Sequence, residues 1–170
     1  MLSNASTVNL AKSDVLTLTS TGTGDITIAP RVSSEGGMIV NTGGTTTFDG
    51  AVDVRSLVTD AAGTTAINGG TVKTEGPQTY NDIVTLSGAT SVFTSTGNSA
   101  ITFGGTLNGA SATTVTTGGV TTFTGSVGNS TPLTSLTTSG GGSTTITGGS
   151  VNTTDDQTYR DATTFGAPQD

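Results

Sequence analysis

The sequence predicts an all-β protein: a single-stranded parallel β-helix, or β-solenoid, of eight to nine turns with about 19 residues in each. Three observations lead there. Thr (41), Gly (26) and Ser (18) fill half of the 170 positions. Thr outnumbers Ser by more than two to one, and a β-branched residue suits strands better than the solvated linker that Gly and Ser alone would make. No apolar stripe at helical spacing runs along the chain, and Thr and Gly are poor helix formers. A short phrase, with an apolar residue just after Thr and two before Gly, returns at a nearly constant distance.

The apolar residue of that phrase marks each turn: Ile28, Phe48, Ile67, Leu86, Phe103, Phe123, Ile146 and Phe165, at spacings of 20, 19, 19, 17, 20, 23 and 19. Leu10 makes a plausible ninth marker. A unit of this length holds about three short strands; one reads Thr45–Phe48, Ala51–Val54 and Ser56–Thr59, followed by the turn Asp60-Ala61-Ala62-Gly63. No segment is long enough to pair back on itself, so each strand is expected to pair in parallel with its equivalent one turn on, about 4.8 Å away. Alternate residues of a strand face the same way. The eight markers should then form one inward stack. Ile26, Thr46, Thr65, Val84, Ile101, Thr121, Thr144 and Thr163, two positions earlier, should line the core beside them, with some hydroxyls bonded to backbone. The position just before the marker gives an outward Thr column: Thr27, Thr47, Thr85, Thr102, Thr122, Thr145 and Thr164, with Ala66 the exception. Gly two positions after the marker permits positive φ at a tight corner. Val52, Val72, Leu107, Val127 and Val151 open the next strand.

A longer repeat lies over the short one. Ser56-Leu57 through Asp82 matches Ser135-Leu136 through Asp161 at an offset of 79, carrying Gln78-Thr79-Tyr80 onto Gln157-Thr158-Tyr159. Phe48 matches Phe123 at 75, so four residues are inserted near Gly128–Pro132. Aligning Val52 with Val72 sets Asp53 beside Lys73 and Arg55 beside Glu75, two opposite-charge pairs between turns that would fix register.

Composition removes several chemistries. The chain has no Cys and no His, so thiol nucleophiles, disulfides, thiolate or imidazole metal sites and a Ser-His-Asp triad are excluded. A net charge of −7 with five scattered cations argues against nucleic acid as a partner. No apolar run approaches the ~18 residues that span a bilayer, so no membrane insertion of this segment is expected.

Gly44-Thr45-Thr46-Thr47-Phe48-Asp49-Gly50, Asp60–Gly70 and Gln78–Leu86 resemble the repeats of filamentous-haemagglutinin-like and autotransporter-type bacterial surface adhesins. The resemblance covers roughly residues 5–167. It implies a right-handed coil, type V export, an extracellular or cell-surface location, and a non-catalytic adhesin or stalk role toward a host-cell or surface ligand. The family's secretion domain and outer-membrane barrel are missing from these residues. Residues 1–170 therefore read as one solenoid domain excerpted from a longer array, with end-to-end self-association expected of its open strands.

Four chemical readings compete with a structural role. Asp49, Asp53, Arg55, Asp60, Lys73 and Glu75 form the densest charged group. A carbohydrate-processing β-helix enzyme would need two of its carboxylates at a set separation in a cleft; register pairs and turn aspartates are the preferred reading, as they are for Asp82, Asp161 and Asp155-Asp156. The Ca²⁺ nonapeptide Gly-Gly-x-Gly-x-Asp does not occur, and no cofactor or metal is expected. Ice binding needs paired Thr columns, and the position after the marker (Ala29, Asp49, Asn68, Ser87, Gly104, Thr124, Thr147, Gly166) supplies only two Thr. Tyr80 and Tyr159 are expected to pack over corners rather than to stack on sugar.

Overall fold

A computed structural model describes residues 11–166. Successive coils carry β1 (Val15–Ser20), β2 (Ile26–Ile28) and β3 (Val32–Ser33); β4 (Gly37–Thr42), β5 (Thr45–Phe48) and β6 (Val52–Val54); β7 (Leu57–Thr59), β8 (Thr64–Ile67) and β9 (Thr71–Thr74). They continue with β10 (Gln78–Tyr80), β11 (Ile83–Leu86) and β12 (Thr90–Ser95), then β13 (Ile101–Phe103), β14 (Leu107–Asn108) and β15 (Ala112–Thr117). The last are β16 (Val120–Phe123), β17 (Ser135–Ser139), β18 (Ser143–Ile146), β19 (Gln157–Tyr159) and β20 (Ala162–Phe165).

These strands stack into three sheets, one per side. Sheet A is β1-β4-β7-β10-β13-β16-β18-β20, sheet B is β2-β5-β8-β11-β14, and sheet C is β3-β6-β9-β12-β15-β17-β19. Every pairing between the named strands is parallel, and no helix occurs among the described residues. The protein is a β-solenoid of about 7 turns with about 21 residues per turn.

That turn is longer than the 19 residues the markers suggest, and the reason is physical. The eight markers do not form one stack. Ile28, Phe48, Ile67 and Leu86 lie above one another on sheet B, whereas Phe103, Phe123, Ile146 and Phe165 stack on sheet A. The 17-residue step from Leu86 to Phe103 is a hop of two sides, so the marker series falls one side short of a full count. The true column on sheet A runs Leu18, Val40, Thr59, Tyr80, Phe103, Phe123, Ile146, Phe165, in steps of 19 to 23 residues. The Thr column divides at the same place. Thr27, Thr47 and Thr85 belong to sheet B, and Thr102, Thr122, Thr145 and Thr164 to sheet A. Likewise Val52 and Val72 lie on sheet C, and Leu107, Val127 and Val151 on side B. Leu10 lies outside the described residues.

The long repeat shifts face in the same manner. Gln78–Tyr80 sits on sheet A and Gln157–Tyr159 on sheet C; Phe48 sits on sheet B and Phe123 on sheet A. Each match steps back by one side, so the repeat is eleven sides long, one short of four coils. An extended segment ending in a corner fits any of the three sides, and the sequence repeats by side rather than by coil.

Side chains alternate in and out along most strands, as in β5 and β8, where residues two apart are buried; β14 is buried at both positions, and Phe165, expected in the inward stack, is exposed at the end of β20. Ile28, Phe48, Leu57, Ile67, Val72, Tyr80, Phe93, Phe103, Phe123 and Leu136 belong to one continuous core. Thr46, Thr65, Thr121 and Thr144 are buried beside it. Glycine after the marker has a different cause from the one expected. Gly69, Gly125 and Gly148 do not adopt positive φ. A Cβ on Gly69 would lie 2.2 Å from the Gly50 carbonyl carbon, and one on Gly148 2.1 Å from the Gly125 carbonyl oxygen. Successive coils touch backbone to backbone at this corner, and only hydrogen fits between them. Positive φ falls one residue later, at Gly70 (69°) and Gly149 (79°).

Candidate functional site

The charged residues that cluster in sequence are distributed around the coil. Asp49 sits at the corner leaving sheet B, where its Oδ1 accepts from Asn68 Nδ2 at 2.7 Å. Asp60 sits at the corner leaving sheet A, where its Oδ1 accepts from the Thr42 amide at 3.2 Å. Asp53 and Lys73 lie side by side on sheet C, with Lys73 Nζ 3.4 Å from Asp53 Oδ2; Arg31 reaches the same oxygen at 3.6 Å. Arg55 and Glu75 follow at the corner leading to sheet A, but the ion pair of Glu75 is with Lys12, at 2.6 Å. Arg55 acts on Glu75 at longer range.

An open groove of about 350 Å³ follows this corner, lined among others by Lys12, Glu35, Asp53, Arg55, Lys73 and Glu75. Its lining carries both signs: Glu35, Arg55 and Glu75 on successive coils, with Asp53 and Lys73 paired beside them and Lys12 reaching Glu75. The hydrogen bond from Lys12 holds the Glu75 carboxyl below its ordinary range. A glycosidase acid needs the opposite shift. The groups pushed upward lie elsewhere. Burial raises Tyr80, Asp82 and Tyr159. No group of three or more possible metal ligands occurs among the described residues.

Tyr80 is neither a corner cover nor a sugar platform. It is fully buried, stacked on Phe103 at 5.1 Å and edge-on to Phe93 at 5.7 Å, with its hydroxyl donating to Gln78 Oε1 at 3.0 Å. Gln78 Nε2 in turn donates to Thr74 Oγ1 at 3.2 Å and to the Thr94 carbonyl at 2.9 Å. The second copy repeats this arrangement on another face: Tyr159 donates to Gln157 Oε1 at 3.0 Å, and Gln157 Nε2 to Thr153 Oγ1 at 3.3 Å. Tyr159 is half-buried and meets Phe165 edge-on at 5.9 Å.

Asp82 is the group that single-residue reading undervalues. It occupies a corner but is buried, and its two oxygens accept from Thr59 Oγ1 and Thr65 Oγ1, each at 2.8 Å. Burial raises its pKa, and the two hydroxyls oppose that rise. The inward Thr hydroxyls of this corner thus bond to a carboxylate rather than to backbone. Thr144 instead donates to Thr138 at 2.9 Å, and the Thr121 hydroxyl is buried without a partner among the described residues. Asn108 is a second such residue: its Oδ1 accepts from the amides of Ser130 (2.9 Å) and Thr131 (3.4 Å) and pins the four-residue insertion. The sequence signal for Asp82 is its match to Asp161 in the long repeat.

The outward Thr residues lie in ladders. Thr79, Thr102, Thr122, Thr145 and Thr164 run up sheet A. On sheet C, Val92–Thr94, Thr114–Thr116 and Thr137–Ser139 make two adjacent columns over three consecutive strands. No family model, no curated protein and no solved structure matches the chain.

Proposed function

We propose that the chain is a non-catalytic structural rod segment of a secreted or cell-surface bacterial adhesin. The observation that carries this reading is where the reactive groups go. Carboxylates, amides and hydroxyls are spent on contacts between coils: Asp82 on Thr59 and Thr65, Asp49 on Asn68, Asp53 on Lys73. What remains outward on sheets A and C is chiefly hydroxyl ladders. Such a body transmits length and stiffness, and presents a ligand on its faces. The test is surface labelling in the source cell. Antibodies raised against the chain should decorate intact cells, and external protease should remove the signal. Labelling only after permeabilisation would overturn the reading.

The paired columns on sheet C favour a second reading, an ice-binding face. They lie in the stretch from 83 to 154, which carries no charged residue. Thermal hysteresis abolished by Thr116→Lys would establish that reading; no hysteresis in the wild type would remove it.

A further inference from the structure

The long repeat places the same three polar residues in the same register twice. Thr59 pairs across from Tyr80 and Thr65 from Val84, with Asp82 between those two partners. Thr138 pairs across from Tyr159 and Thr144 from Thr163, with Asp161 between them. The segments joining the two threonines are equal in length. The hydrogen bonding nevertheless differs. In the first copy both hydroxyls clasp the carboxylate. In the second, Thr144 donates to Thr138, the Gly141 amide donates to Asp161 Oδ1 at 2.9 Å, and Asp161 Oδ2 is buried with no partner among the described residues.

The corner sequences account for the difference. The first reads Asp60-Ala61-Ala62-Gly63, with positive φ at Gly63 alone (76°). The second reads Ser139-Gly140-Gly141-Gly142, with positive φ at Gly140 (126°) and Gly141 (85°). Alanine cannot hold the second conformation without strain. Three glycines can hold either one. Closing the second corner like the first would give both oxygens of Asp161 a hydroxyl donor. It would exchange the Thr144–Thr138 bond for those two and free the Gly141 amide, which stands in open space: a Cβ added there would meet nothing within 4 Å.

We propose that Thr138, Thr144 and Asp161 form a two-position latch at the corner between sheets C and A. In the open position Asp161 is held by the Gly141 amide. In the closed position it is clasped by both threonines, as Asp82 is, and ties β19 and β20 down onto β17 and β18. The glycine corner is the hinge, and Ala61-Ala62 locks the corresponding corner of the first copy in the closed position.

The double variant Gly140→Ala/Gly141→Ala decides the matter, because the two pictures predict opposite signs. With a latch, the alanines select the closed corner and reduce unfolded-state freedom, so the Tm rises by about 2 to 6 °C. At the same time the residue-141 amide loses its acceptor and its protection against hydrogen exchange. With only the open corner available, both alanines sit in strained backbone and the Tm falls. A rise in Tm together with lost protection at residue 141 supports the latch. A Tm that falls or stays level, or retained protection, overturns it.

Discussion

The coils from Lys12 to Asp82 and those from Ile83 to Thr154 share one architecture and almost nothing else. The first region holds twelve charged residues, and the second holds none over 72 positions. The first is filled mainly by aliphatic residues such as Val40, Val52, Val54 and Leu57. The second is centred on a run of rings that reaches back to Tyr80: Tyr80 on Phe103, Phe103 on Phe123 at 5.3 Å, and Phe93 edge-on at 5.1 Å to Phe103. Both regions keep the parallel ladders and the glycine corners, with Gly69 over Gly50 in one and Gly125 over Gly105 in the other. The fold therefore requires ladders and corners. Charge and aromatic stacking are two alternative ways of fixing which coil lies over which.

The largest test of that contrast removes one ring. Phe103 is fully enclosed between two stacked neighbours. Phe103→Ala should cost about 4 kcal/mol, by loss of burial and by the cavity left among rings that cannot close over it. Val40→Ala, in the same column three coils earlier, should cost about 2 kcal/mol, in line with two lost methyl groups. Urea unfolding of the two variants measures both. A loss at Phe103 no greater per unit of buried area than the loss at Val40 would mean that the stack adds nothing beyond area.

A smaller effect is expected where the two regions meet, at Asp82. Thr65→Val leaves Asp82 Oδ2 without its donor in a buried corner, which should cost about 2 kcal/mol at neutral pH. The pH dependence follows from the raised pKa of Asp82. Its folded value lies above its unfolded one, so its contribution to stability is fully present below the unfolded pKa and is lost as pH rises through the folded pKa. Removing the Thr65 donor raises the folded value further. The gap between variant and wild type should therefore narrow on acidification through the carboxyl range. A gap of constant size from neutral to acid pH would show that Asp82 does not respond to that hydroxyl.

Much of this is legible in the sequence, and what is not has a common cause. Strand composition, parallel stacking and the three strands of a unit follow from Thr content and from the length between corners; β5, β6 and β7 fall inside the segments read as strands. The side on which a strand lies is not written locally. Thr-Thr-Phe ending at Phe48 and at Phe123 makes the same strand and corner on different sheets. Only the ladder partners distinguish them, and those lie about 21 residues away. The buried role of Asp82 is hidden for a related reason, since an aspartate at a corner ordinarily faces water. Tyr80 is misplaced because the sequence reads it as a corner residue, whereas Gln78–Tyr80 forms β10, whose in-and-out alternation turns Gln78 and Tyr80 into the core.

The smallest effect concerns the surface charges of the first region. Asp53 takes Lys73 at 3.4 Å and Arg31 at 3.6 Å, with its side chain 36% exposed, so each pair is well screened by solvent. Asp53→Asn should cost no more than about 0.5 kcal/mol at low salt, and the cost should shrink toward zero near 1 M salt, where the Debye length falls to about 3 Å. Thr116→Val, at the corresponding sheet C column in the uncharged region, should show no salt dependence of its effect. Urea midpoints of both variants across a salt series make the comparison. If Asp53→Asn also populates a second set of amide resonances for β6 and β9, the charge pair is selecting register rather than adding stability, because a strand displaced by one coil would take Lys73 off Asp53 and set it opposite Ser33. A single set of resonances, with the full cost persisting at high salt, would place the role of Asp53 in packing and leave the uncharged region as the general case.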